Sequence, residues 1–286
     1  MSEPILPPSE IFTNPASVPV AEGQDPAAVN LTAAPGTLGG VDQTFTLTST
    51  AGTSAVQQVV LTGPGNRVNI SGGAADINAL SGGAIIESAP LLDADGKVIS
   101  DAPKNIKLTA GNDFNGVPVN IAETVQGNTP GQQESIADAA GGQLGEVVQA
   151  DGSVVRGFAF YASGGSGADN IQGSGLSDFV RGGDGDDVVN AGGGNDLVRG
   201  GSGSDDLTLG EGRDSLYFTL DQIDGSIDTL RDFTTGEDLI TLDRSISFEI
   251  VNGGQSIIFT TATGQTARLD SANGVIFTDN DIRFLG

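Results

Sequence analysis

Between Gly164 and Tyr217 the chain repeats a nine-residue unit six times without insertion: GGSGADNIQ, GSGLSDFVR, GGDGDDVVN, AGGGNDLVR, GGSGSDDLT and LGEGRDSLY. The sixth position is always aspartate, at Asp169, Asp178, Asp187, Asp196, Asp205 and Asp214. The eighth is always aliphatic, at Ile171, Val180, Val189, Val198, Leu207 and Leu216. A solvated acidic linker has no reason to keep two such clocks in phase; a repeat array does. Glycine permits a tight turn at positive φ, and the three residues after each aspartate form a strand too short to survive alone. Stacking is therefore obligatory.

If each unit is a turn plus a strand and successive strands fall on opposite sides, two units make one coil. The aliphatic eighth positions of both sides then meet in a thin core. Parallel strands stack about 4.8 Å apart, so aspartates two units apart repel one another. A hard cation resolves this conflict, because calcium accepts about six to eight oxygens and can combine turn carbonyls with a carboxylate from each of two coils. The expected pairs are Asp169 with Asp187, Asp178 with Asp196, Asp187 with Asp205, and Asp196 with Asp214, which gives about four calcium ions.

The segment resembles the RTX, or hemolysin-type, family of calcium-binding nonapeptide repeats, whose pattern is G-G-x-G-x-D-x-U-x. That resemblance implies a parallel β-roll with metal ligands in its turns. Beside the six aspartates these are Gly164, Ser166, Gly173, Gly175, Gly182, Asp184, Gly185, Gly193, Gly194, Gly200, Ser202 and Gly203. Ser174, Leu176, Ala191, Leu209 and Glu211 depart from the pattern.

The seventh and ninth positions should point outward. One face then carries Asn170, Val188, Asp206, Gln172, Asn190 and Thr208; the other carries Phe179, Leu197, Ser215, Arg181, Arg199 and Tyr217. The second face is a candidate contact for a partner, another copy or an anionic glycan, unless the protein's own flanking segments cover it.

Composition narrows the chemistry. The 286 residues hold no histidine and no cysteine, which removes imidazole bases, Ser-His triads, HExxH sites and disulfides. A formal charge of −25 repels nucleic acid and anionic lipid and attracts multivalent cations. No stretch approaches the roughly 18 apolar residues of a membrane span, and the start lacks the basic and apolar regions of a signal peptide.

The remaining sequence reads as all-β. Residues 1–30 are a Pro-rich extended tail, and residues 31–125 are strand-rich, forming either a sandwich or a degenerate solenoid. Residues 126–150 are a connector with one helical turn near Ile136. The roll occupies 151–217, and 218–286 is a β-rich cap and secretion signal. Asp-Gly within LLDADGKVIS marks a hairpin, and EIVNGGQSIIFTT and ARLDSANGVIFTD carry further hairpin signals. GPGNRVNISGG and TAGNDFNG echo the nonapeptide, although Arg67 replaces the aspartate in the first and Asp113 is out of phase in the second. Asp228, Asp232 and Asp238 follow the array; Asp228 and Asp232 are turn or capping residues, or ligands of one further ion.

No enzyme is expected. Asp76, Glu87, Asp93, Asp95, Asp101 and Asp113 lie mainly in turn contexts, and tryptophan is absent. A carbohydrate-binding or carbohydrate-modifying protein using these N-terminal carboxylates is the alternative. The resemblance implies export by a type I, one-step channel of Gram-negative-type bacteria, directed by the C-terminal residues DNDIRFLG. The chain would fold outside the cell, where calcium is plentiful. The expected role is structural or adhesive, in a surface layer, filament or matrix, through self-association or contact with cell-surface polysaccharide.

Overall fold

The computed structural model describes residues 158–284 and, before them, the strands between residues 43 and 156 named below. The Pro-rich tail, the segment TAGNDFNG and the helical turn expected near Ile136 lie outside the described residues.

In chain order the strands are β1 (Gln43–Thr48), β2 (Gln57–Leu61), β3 (Asn66–Ser71), β4 (Ala75–Ala79), β5 (Ala84–Ala89), β6 (Leu91–Leu92), β7 (Val98–Ser100) and β8 (Lys104–Leu108). Then come β9 (Glu146–Val148), β10 (Val154–Arg156), β11 (Phe160–Ser166), β12 (Asn170–Gln172), β13 (Phe179–Asp184), β14 (Val188–Asn190), β15 (Leu197–Ser202), β16 (Asp206–Thr208) and β17 (Ser215–Phe218). The last are β18 (Ile227–Leu230), β19 (Leu239–Leu242), β20 (Ile246–Val251), β21 (Ser256–Thr261), β22 (Thr266–Ser271) and β23 (Ile282–Phe284).

Two long sheets collect all of these strands except β6, β7, β9 and β10, and do so alternately as far as β20. One runs β1-β3-β5-β11-β13-β15-β17-β19-β23, and the other β2-β4-β8-β12-β14-β16-β18-β22-β21-β20. Every pairing in the first sheet is parallel, as is every pairing in the second as far as β22. The molecule is therefore a parallel β-roll. Strands β1 to β5 and β8 extend the same two sheets, with β5 paired to β11 and β8 to β12, while β6 with β7 and β9 with β10 form separate two-stranded antiparallel pairs. Of the two architectures open for 31–125, the parallel pairing is that of a solenoid. A sandwich would need antiparallel sheets packed face to face.

Register explains the core. Ile171, Val189, Leu207 and Leu230 stand opposite one another along one sheet, and Ala162, Val180, Val198, Leu216 and Ile240 along the other. All of these side chains are fully buried. Ile86 and Ile106 continue the two ladders upstream and are buried with them. Strand alternation then puts Asn170, Gln172, Val188 and Asn190 in solvent, as expected.

The thin core widens toward the C-terminus. Phe218 packs on Phe259 at 4.4 Å between ring centroids, and Phe233 on Phe277 at 5.4 Å. The hairpin β20–β21 turns through Asn252, Gly253 and Gly254, all at positive φ, as EIVNGGQSIIFTT predicts. The pairing of β6 with β7 likewise forms the hairpin read from LLDADGKVIS. ARLDSANGVIFTD differs: β22 pairs with β21 and β18, and among the described residues no antiparallel strand follows it. The preceding hairpin already occupies that edge. Residues 279–284 of the terminal octapeptide form a 3-10 turn and β23, which pairs with β19. Among the described residues, no helix is long and apolar enough to cross a membrane.

Candidate metal centre

The aspartates that end each nonapeptide turn face the interior of the coil rather than solvent. Asp169, Asp178, Asp187, Asp196, Asp205 and Asp214 are each at most 3% exposed. Each coil is tied to the next through them. The amide of Asp169 donates to Oδ1 of Asp187 at 2.8 Å, and that of Asp187 to Oδ1 of Asp205 at 3.0 Å. On the other side the amide of Asp178 donates to Oδ1 of Asp196, and that of Asp196 to Oδ1 of Asp214, both at 2.7 Å. These are the four pairs read from the spacing.

Oδ1 thus serves the backbone, and Oδ2 is left to other business. In Asp196, Asp205 and Asp214 this second oxygen is buried with no hydrogen-bond partner. Its surroundings are best defined at the glycine opening each turn. A β-carbon on Gly164 would stand 2.3 Å from Oδ2 of Asp169 and 2.6 Å from the carbonyl oxygen of Gly182. On Gly182 it would stand 2.3 Å from Oδ2 of Asp187 and 2.6 Å from the carbonyl of Gly200. Carboxylate and carbonyl oxygens of consecutive turns therefore converge where only glycine leaves room. Such an all-oxygen cradle fits calcium.

Burial without a counter-charge raises these acids. Desolvation pushes Asp178, Asp205 and Asp214 up to about 7. Asp196 is held well above 3.8 by burial and then by its neighbours Asp178 and Asp214. Among the described residues, no three acidic side chains converge on one point. An ion in a turn would thus rest on one or two carboxylates and otherwise on peptide oxygens.

The remaining turn residues fall into distinct positions. The carbonyls of Asp184 and Ser202 accept the amides of Gly167 and Gly185 at 2.8 Å, while the Asp184 side chain is exposed. Gly185, Gly194 and Gly203 hold positive φ, which the turn requires. Gly173 lies against the carbonyl of Ala191, Gly193 bridges to Glu211, and Gly200 abuts Oδ2 of Asp205. The backbone of Ser166 lies in β11, opposite Asp184. Gly175 has open space around it, and its turn is the one with Ser174 and Leu176 in place of glycine. There Oδ2 of Asp178 accepts the amide of Ser174 at 2.7 Å, so this aspartate is committed differently from its neighbours.

The sequence reads Asp228 and Asp232 as turn or capping residues or as ligands of one further ion, and gives Asp238 no role. Asp228 and Asp238 take the lattice position, accepting the amides of Asp205 and Asp214 at 3.0 Å. Both are 1% exposed, and burial raises both, Asp228 to about 8. The signal was hidden because loops stretch the spacing from 18 residues to 23 and 24. Asp232 instead caps a turn, accepting the amides of Leu209 and Gly210, each at 2.8 Å.

The apolar outward face is covered. Phe179, Leu197, Ser215 and Tyr217 are buried, and Phe179 touches Phe158 and Tyr161. Arg199 ion-pairs with Asp221 and bonds Gln222 at 3.1 Å.

The family model of the RTX calcium-binding nonapeptide repeat matches residues 163–198 and 181–216. Among solved structures, the solution structure of the AlgE6R3 subunit from the Azotobacter vinelandii mannuronan C5-epimerase is similar. Identity is 22% over 41% of this chain and 77% of that one, with a TM-score of 0.31. No curated protein matches the chain.

Proposed function

We propose that this is a secreted, non-catalytic protein whose roll is assembled by calcium after export and which serves a structural or adhesive role outside the cell. The observation that carries the reading is the aspartate ladder: four inter-coil pairs whose Oδ1 atoms bind backbone and whose Oδ2 atoms sit in dry turns. Bound calcium would supply the missing positive charge and collect the convergent oxygens, one ion for each pair. Without it, folding opposes the mutual repulsion of buried carboxylates. An exported chain thereby stays extended where calcium is scarce and folds where it is abundant. The regular, extendable solenoid supports a scaffold role, since stacked coils present long flat faces.

Circular dichroism of the full chain during a calcium titration, with magnesium as control, tests the first part, and electron microscopy of the same samples the second. Calcium-selective gain of β structure at a stoichiometry near the number of aspartate pairs supports metal-gated folding. Ordered assemblies formed only with calcium support the scaffold role. A chain equally folded in chelator sinks the gating, and dispersed monomers at saturating calcium sink the assembly.

A further inference from the structure

The aspartate lattice does not stop where the nonapeptides stop. In the turns 164–169 and 182–187, Oδ2 of the aspartate lies beside the opening glycine and within reach of the next turn's first carbonyl. Turn 200–205 keeps half of the arrangement: Oδ2 of Asp205 lies 2.2 Å from a β-carbon placed on Gly200, while no carbonyl of the next coil comes as close as in the two earlier turns. This oxygen is buried, has no hydrogen-bond partner, and belongs to a residue 2% exposed. The next coil is the cap segment 223–228, which meets this turn where the Gly203 amide donates to Oδ2 of Asp224 at 2.9 Å and the Asp205 amide to Oδ1 of Asp228 at 3.0 Å, and which lies outside the residues matched by the repeat family.

That segment brings Asp228 into the lattice position. Asp228 is 1% exposed and accepts the Asp205 amide on Oδ1, as each array aspartate does for the one before it. The cap has replaced the nonapeptide turn with Ile223-Asp224-Gly225-Ser226-Ile227, yet it has kept the carboxylate. A purely structural cap would have no need to bury a second negative charge beside the first, because an uncharged amide side chain accepts the same hydrogen bond.

We propose that Asp205 and Asp228 form a further site for a hard divalent cation, which joins the cap to the array. The site rests on the calcium reading of the nonapeptides but lies beyond them. It would make the closing of the coil's C-terminal end metal-dependent.

The test is ion counting on the full chain by native mass spectrometry and calorimetry, with calcium alone as the probe and magnesium as control. D228N keeps Oδ1 for the Asp205 amide and removes the charge. Expected is one calcium fewer than in the wild type, together with a chain more structured in chelator. A merely structural role would leave the count alone and make the chelated chain less structured. D187N, inside the array, is the reference and should also lose calcium. If the wild type binds no calcium, the reading of the whole array falls. If wild type and D187N behave as expected but D228N keeps the wild-type count, or fails to fold in excess calcium, only the cap site falls.

Discussion

The amide of Asp196 donates to Oδ1 of Asp214 at 2.7 Å, while Oδ1 of Asp196 itself accepts the amide of Asp178 at the same distance. One residue type thus both zips the coils together and loads them with charge. The two roles separate in D196N, which retains the acceptor and loses the charge. The ion-free chain should gain on the order of 1–3 kcal/mol, because a buried charge flanked by Asp178 and Asp214 disappears. The calcium midpoint for folding should rise about tenfold or more, since an ion loses a carboxylate from each of two positions. Denaturant titrations in chelator and in calcium measure both; loss of stability in chelator would show that the charge is not in conflict with the fold.

Protons should replace calcium in part. Asp178, Asp205 and Asp214 are raised to about 7, and Asp228 to about 8, from an ordinary value of 3.8. The folded state therefore binds protons more tightly than the unfolded chain. Stability from these groups is fully present below about pH 3.8 and is lost as pH rises through about 7 to 8. In chelator the melting temperature should climb as pH falls from about 8.5 to about 5, the reverse of ordinary acid denaturation. Apparent calcium affinity should weaken over the same window, because protons and calcium compete for the same oxygens. A chelated chain whose melting temperature is flat across this range would contradict the cost of burying these carboxylates.

The array was legible because two clocks ran in phase. Aspartate at position six and an aliphatic at position eight fix both the turn and the inward side chain, and Ile171, Val180 and the rest are all fully buried. Legibility failed where the lattice continued without the clock. Asp228 and Asp238 occupy the same place as Asp205 and Asp214, but the 3-10 turn at Leu220–Gln222 and the turn around Gly236 lengthen the connections. Upstream, Ile86 and Ile106 extend the core, and the registers Gln57 to Ala75 and Arg67 to Ile85 keep the coil spacing of the array, but no in-phase aspartate marks them and the step from Ala75 to Lys104 is longer. Coil stacking demands register at the strand, and leaves loop length free.

The turn glycines should differ sharply in tolerance. Gly182→Ala drives a β-carbon to 2.3 Å from Oδ2 of Asp187 and 2.6 Å from the Gly200 carbonyl, the oxygens expected to meet an ion. It should cost about 2–4 kcal/mol in calcium and lose at least one ion. Gly175→Ala meets nothing within 4 Å and has no positive φ, so its effect should stay within about 0.5 kcal/mol. Thermal unfolding of the pair in saturating calcium decides it; equal losses would mean that the opening glycines serve the backbone alone.

Calcium should also order strands outside the array. In the two sheets Tyr161 pairs with Ile85 and Ile171 with Ile106, so β5 and β8 are built directly on the array's first coil. No aspartate clock runs through them, and their buried side chains Ile86 and Ile106 lose their packing if β11 and β12 dissolve. In a solenoid, each coil is stabilised mainly by its neighbour, and order propagates from the stable end. Hydrogen exchange of residues 84–89 and 104–108 should therefore slow about tenfold or more on adding calcium, and D187N should reduce that protection although it lies two strands away. The protection should decline from β5 toward β1, with distance from the metal-bound coils. Equal exchange of these strands in chelator and in calcium would mean that the upstream coils hold themselves together, with the array docked onto a scaffold already formed.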